Sequence, residues 1–279
     1  MSNKRGFAAL LAVGILLTAV GMAQAGTSTG TVEMKYTHCA PRQIGKIWLN
    51  GSYKGAYYTG KYNLQLDPTY AAGDGEPGTG EGETIYAAFE DDGYKMGAFC
   101  ADAWQLAPTG DTLYDVYRPE DSPIGGANTP MGDVKADQLR EFFYNVIQGQ
   151  APVPPANPYD LLDPNDNAAA QAFVWEVIHE GTEDPAAYDV FSGDFKMNYY
   201  GGSGWLAQAN DWLADLATGT WADPDPDDNG LRVLTNLSKQ DYALTVPGLG
   251  ATPVPEPLTM LGVFGAIAGV GAYVRRRRA

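Results

Sequence analysis

The sequence predicts an α+β fold made mainly of β segments, with an inserted group of about three helices. Three observations predict it. The first half carries short runs in which apolar and aromatic residues alternate, the middle changes to an apolar spacing of three to four, and β-type runs return near the end. With 279 residues and 44% hydrophobic content, the chain is long enough for one or two domains and has ample material for a packed core.

Taken in order, residues 31–36, 44–49 and 57–66 read as strands, the last alternating Tyr58, Gly60, Tyr62, Leu64 and Leu66. Asn50-Gly51 between two such runs is a hairpin turn signal. Residues 71–83 are dense in Gly and acidic residues and read as a mobile surface loop. Strands are expected again at 84–89, 95–100 and 112–117. Over 133–147, Val134, Leu139, Phe142, Phe143, Val146 and Ile147 fall near helical spacing, with Gly149 as a stop. The Pro-rich stretch 151–158 reads as a linker. Asn167 can cap a second helix over 168–180, and a third over 205–216 buries Trp205, Leu206, Trp212, Leu213 and Leu216. Strands are expected at 231–237 and 242–246.

Charge restricts the partners. Six of the 18 Lys and Arg sit at the two ends, which leaves 12 against 34 acidic residues and a net charge of about −22 between them. A nucleic-acid surface needs clustered Lys and Arg, so nucleic acid is excluded as a partner, and polyanions in general are poor ones.

Both termini read as addresses. Lys4 and Arg5 precede an apolar core from Phe7 to Met22 and an Ala23-Gln24-Ala25 cleavage signal, so residues 1–25 are a signal peptide and residues 26–250 are exported. Residues 258–274 are uncharged and apolar, about 26 Å of helix and just enough to span a bilayer core. Arg275, Arg276, Arg277 and Arg278 follow and stay on the cytoplasmic side by the positive-inside rule. Val254, Pro255, Glu256 and Pro257 stand immediately before the span, extended and non-helical. The order of Pro-Glu-Pro, short span and arginine cluster over residues 251–279 resembles the PEP-CTERM sorting signal of Gram-negative, exopolysaccharide-producing bacteria. That resemblance implies processing by an exosortase, an inner-membrane-anchored precursor, and delivery to the cell surface or extracellular matrix.

Cysteine occurs twice, at Cys39 and Cys100. An even count in an exported chain makes a Cys39–Cys100 disulfide one reading. A second starts from Phe99-Cys100 at the end of a predicted strand and the helical run Ala170-Gln171-Ala172-Phe173-Val174-Trp175. These two motifs, with β segments first and the helices inserted before the second, resemble the thioester domains of bacterial surface adhesins. The resemblance implies that the Cys100 sulfur is joined to the side-chain carbonyl of Gln171 with loss of ammonia. Such an acyl group acylates an amine or hydroxyl once and stays attached, so no enzymatic turnover is implied. Phe99, Trp104 and Trp175 are candidates to shield it from water. His179 shares the helix face of Gln171 and Trp175, either assisting proton transfer or simply favouring the helix C-terminus. One sulfur cannot serve both a disulfide and a thioester.

The expected function is therefore a surface adhesin or matrix protein, with exopolysaccharide or the amines of surface proteins as targets. A plain matrix protein held by the disulfide is the alternative. Calcium-dependent carbohydrate binding is a third reading: Asp225, Asp227 and Asn229 follow the first half of a calcium loop, D-x-D-x-N-G, but Asn236 stands where the twelfth-position Glu belongs. No other cofactor is expected. With only His38 and His179 the chain cannot build a multi-histidine zinc site, and Trp205 spoils the one sequence that approaches a nucleophile elbow.

Overall fold

The computed structural model describes residues 26–67, 80–103, 105–124, 129–149, 163–199, 204–222, 224 and 230–249. The expected signal peptide, the expected sorting tail, the candidate calcium-loop residues Asp225, Asp227 and Asn229, and Trp104 lie outside the described residues.

Seven antiparallel strands and four helices form a mixed α and β structure. The strands are β1 (Gly30–Leu49), β2 (Ser52–Leu66), β3 (Lys95–Cys100), β4 (Thr112–Tyr117), β5 (Phe195–Tyr199), β6 (Leu231–Asn236) and β7 (Lys239–Thr245). The helices are α1 (Glu81–Phe89), α2 (Asp133–Phe142), α3 (Pro164–His179) and α4 (Gly204–Thr218). Strand order is β2-β3-β7-β6-β4-β1-β5, and β2 also pairs with β1. That extra pairing joins six strands into a closed ring and leaves β5 as the outer seventh. Closure is possible because β1 is 20 residues long: its first residues, Gly30 to Met34, pair with β4, and from Met34 onward it pairs with β2. Ring closure removes edges that would otherwise offer unpaired backbone groups.

The two runs read at 31–36 and 44–49 are thus one strand, bent by register shifts between Tyr36 and His38 and between Cys39 and Arg42. A bulge turns a long strand without ending it. Cys39 accordingly lies inside β1 and is buried. The Asn50-Gly51 hairpin is present, with φ of 50° and 74° at the two positions, the left-handed pair that a two-residue hairpin requires.

Residues 84–89 form part of helix α1, where a strand is expected from sequence. Ile85, Tyr86 and Phe89 are buried together at helical spacing, and Glu81 and Glu83 occupy the first turn, where the helix dipole favours them. Gly82 lets α1 approach β1: a Cβ there would stand 2.0 Å from the Thr31 carbonyl oxygen. Glu81 also receives both Arg232 Nε and Nη2 in a bidentate pair that ties α1 to β6.

The expected helix over 133–147 is α2 continued by a single π turn, Phe143–Ile147. Strand β5 is an addition that the sequence does not announce. Inside the ring, the rings of Tyr36, Tyr62, Tyr242 and Tyr114 follow one another with centroids 5.7 to 6.0 Å apart. On the helical side, Phe142 stacks on Phe173 at 4.0 Å. Helix α3 lies between these two layers, packed against α4, β2 and β1, with every residue from Asn167 to Ile178 buried.

Candidate functional site

Helix α3 starts where its sequence allows the orphan amides to be satisfied. Asp163 is the N-cap, its Oδ1 accepting from the Asn165 and Asp166 amides at 2.7 and 2.9 Å, and Pro164 fills the first helical position. Asn167, the expected cap, is one turn inside and donates its Nδ2 to the Asp163 carbonyl at 3.1 Å. Starting one turn earlier, the helix carries Gln171 in its second turn.

Strand β3 brings Cys100 to the same place. Along β3, alternate residues turn their backbone toward β2 and toward β7: the Leu66 amide reaches the Tyr94 carbonyl at 2.9 Å, while the Ala101 amide reaches Asp241 on the other side at 2.8 Å. By this parity the N–H and C=O of Cys100 face β2. Pairing of β2 with β3, however, ends at Tyr62 and Ala98. The amide of Gln171 fills the place of the missing strand. Its Oε1 accepts from the Cys100 N–H at 2.8 Å and its Nε2 donates to the Cys100 carbonyl at 2.7 Å, with both residues fully buried. Cys100 and Gln171 are therefore adjacent across 71 residues of chain.

The Cys100 side chain lies on the face it shares with Tyr242, inside the ring. Its Sγ donates to the Asp102 carbonyl at 2.7 Å and accepts from Gln240 Nε2 at 2.6 Å. Gln240 is held in turn: Tyr242 donates to its Oε1 at 3.4 Å, and its own carbonyl accepts from Tyr114 at 3.2 Å. Burial, followed by the Asp102 charge, pushes the Cys100 thiol well above its ordinary range. At neutral pH the sulfur is a thiol in a dry site rather than a standing thiolate.

Of the expected shields, Trp175 is fully buried, its ring beside that of Phe195 with centroids 6.3 Å apart. Phe99 points to the opposite face of β3, where it meets Phe143 edge-on at 6.0 Å, so it seals the back of the strand. His179 is buried in the last turn of α3, and its ring hydrogen-bonds the backbone of Ala101, the residue after Cys100. Burial and nearby Lys135 hold its pKa down to about 3, so the imidazole is neutral. It anchors the end of β3 to α3 and is a weak base.

Searched against protein-family models, curated proteins and solved structures, the chain matches none.

Cys39 and Cys100 are both free thiols. Cys39 lies opposite Tyr62 on β2 and is buried, which pushes its thiol up to about 12. No group of three or more His, Cys, Asp or Glu side chains suited to a metal ion occurs among the described residues.

Sequence reasoning missed Gln240, Asp102 and the tyrosines around the sulfur. For Gln240 there is a signal: Lys239, Gln240 and Asp241 are consecutive polar residues at the start of β7, and the last two are both buried. Alternation would expose one of the two.

Proposed function

We propose that the protein is exported, sorted to the cell surface or matrix by its C-terminal tail, and attaches covalently to a partner through a thioester between Cys100 and Gln171. The observation that carries this reading is the pair of hydrogen bonds between the Gln171 amide and the Cys100 backbone.

In closure, the Cys100 sulfur bonds to Cδ of Gln171, Nε2 leaves as ammonia, and the thiol proton leaves with it. In use, an amine attacks Cδ, the C–S bond breaks, an amide forms, and the nucleophile's proton ends on the sulfur. A hydroxyl nucleophile gives an ester by the same balance. Each step passes through a tetrahedral centre whose negative charge develops on Oε1. The Cys100 N–H already points at that atom, as an oxyanion donor must. The sulfur leaves as a thiolate, which Gln240 Nε2 can stabilise. Complete burial of Cys100 and Gln171 keeps water from the acyl group until a partner engages.

The test is the intact mass of the purified protein under non-reducing conditions, before and after methylamine. The expected chain is lighter than its sequence by one ammonia, then gains methylamine at Gln171 and a free thiol at Cys100. A chain lighter by two hydrogens and inert to the amine would indicate the disulfide. A full-mass chain inert to the amine would leave a non-covalent matrix protein.

A further inference from the structure

The negative charge of the chain is unevenly placed. From Met34 to Leu66, 33 consecutive residues contain no Asp or Glu, although the chain has 34 of them, and include Lys35, Arg42, Lys46, Lys54 and Lys61. This stretch is β1 and β2, and the register of the hairpin sorts its side chains. Ile47 faces the core and is fully buried. Its neighbours Ile44, Lys46 and Trp48 face outward, opposite Tyr58, Ala56 and Tyr53. On the other flank, Trp48 pairs with Lys196 of β5, whose five residues also lack an acid.

The outward face is aromatic and cationic together. Arg42 lies over the Tyr58 ring at 3.9 Å, Lys196 over Trp48 at 5.8 Å, and Trp48 and Tyr53 pack with centroids 5.1 Å apart. Tyr53, Ile44 and Tyr58 are 53%, 48% and 45% exposed. Among the described residues, neither Arg42 nor Lys196 forms an ion pair with a carboxylate. An acidic protein that keeps a hairpin free of acids, with cations over exposed rings, has a local potential less negative than its average.

We propose that this face of the β1–β2 hairpin and β5 binds an acidic polysaccharide, a chain of uronate-type sugars. Ring faces stack on the apolar faces of pyranose rings, and Arg42 and Lys196 pair with the carboxylates. The surface runs across three adjacent strands, β2, β1 and β5, which suits an extended glycan. A lipid surface fits less well, because the hairpin tip is Asn50-Gly51-Ser52 and offers nothing apolar to insert. This inference revises the expectation that polyanions are poor partners, and it is independent of the thioester because the binding is reversible.

The experiment is equilibrium binding of the purified protein to polygalacturonate, with neutral dextran, polyglutamate and phosphatidylglycerol vesicles as comparison probes. Polygalacturonate is expected to bind, to be released by high salt, and to bind better than the other three. The double variant Arg42→Glu/Lys196→Glu is expected to weaken binding at least tenfold, and Tyr53→Ala several-fold, with unchanged circular dichroism. All three altered positions lie on the surface, so the fold does not depend on them. Absence of binding, or unchanged affinity in both folded variants, would overturn the proposal. Equal or tighter binding of polyglutamate would replace the glycan with an acidic polypeptide, and preference for vesicles would replace it with a membrane.

Discussion

The side-chain amide of Gln171 lies against the backbone of Cys100 as a neighbouring strand would, accepting from its N–H at 2.8 Å and donating to its C=O at 2.7 Å. Two side chains in a site can meet by chance, but an amide that continues a β ladder is fixed in both distance and orientation. That geometry leads to a comparison of two variants. Cys100→Ser and Gln171→Ala both abolish a thioester, and neither should show the ammonia deficit in mass. Only Gln171→Ala leaves the buried backbone N–H and C=O of residue 100 without partners, at about 1–3 kcal/mol each. Gln171→Ala should therefore be less stable than Cys100→Ser by on the order of 3 kcal/mol in urea unfolding. Equal stabilities would mean that the amide pair contributes nothing.

Gln240 contacts the sulfur and not the acyl carbon, so its effect belongs to the leaving group. A hydrogen bond to a charged group contributes about 1.5–3 kcal/mol, and the charge on sulfur appears only as the C–S bond breaks. Gln240→Leu should keep the mass deficit but slow the opening by methylamine roughly ten- to hundredfold. A variant that opens at the original rate would remove Gln240 from the chemistry and leave it a packing residue.

What the sequence reveals and conceals here follows from where the information lies. Alternation in residues 57–66 and the Asn50-Gly51 pair are local signals, and both correspond to structure. Helix α1 is misread because Ile85, Tyr86 and Phe89 satisfy a short apolar run in either period, and the Gly-rich segment before it removes the usual start signal. The meeting of Cys100 with Gln171 is visible only through the two short motifs, since 71 residues separate them. The parity that aims the Cys100 backbone at α3 is set by where β2 stops pairing, which no residue of β3 announces. The cationic face of the hairpin is concealed by averaging, because a net charge says nothing about which strand lacks acids.

The start of α3 provides a stability test away from the sulfur. Asp163 satisfies two amides of the first turn, and removing such a cap costs about 1 kcal/mol. Asp163→Ala should lower the urea midpoint accordingly, while Asp163→Asn or Asp163→Ser should restore most of it. Loss on Asn167→Ala equal to that on Asp163→Ala would return the cap to the position expected from sequence.

The dependence of stability on pH follows from two buried groups on α3 that act in opposite directions. Burial raises the Glu176 carboxyl from 4.5 to about 8, and repulsion from Glu180 and Asp189 adds to it against a hydrogen bond from the Asp189 amide. Between those values the folded chain keeps a proton that the unfolded chain has lost. Its contribution is therefore complete below about pH 4.5 and is lost as pH rises toward 8, with a slope of at most about 1.4 kcal/mol per unit. His179 is lowered from 6.5 to about 3, so its contribution is complete above about 6.5 and is lost as pH falls. From 4.5 to 6.5 the two slopes oppose each other; above 6.5 only that of Glu176 remains, and below 4.5 only that of His179. Stability measured against pH should accordingly show a plateau in the mildly acidic range and a decline from about 6.5 to 8. Glu176→Gln, which retains an acceptor for Asp189, should flatten that alkaline decline, turn the plateau between about 4.5 and 6.5 into a rise with pH, and leave the slope below 4.5 unchanged. An alkaline decline of the same slope in the variant would show that Glu176 is ionised in the folded chain at neutral pH.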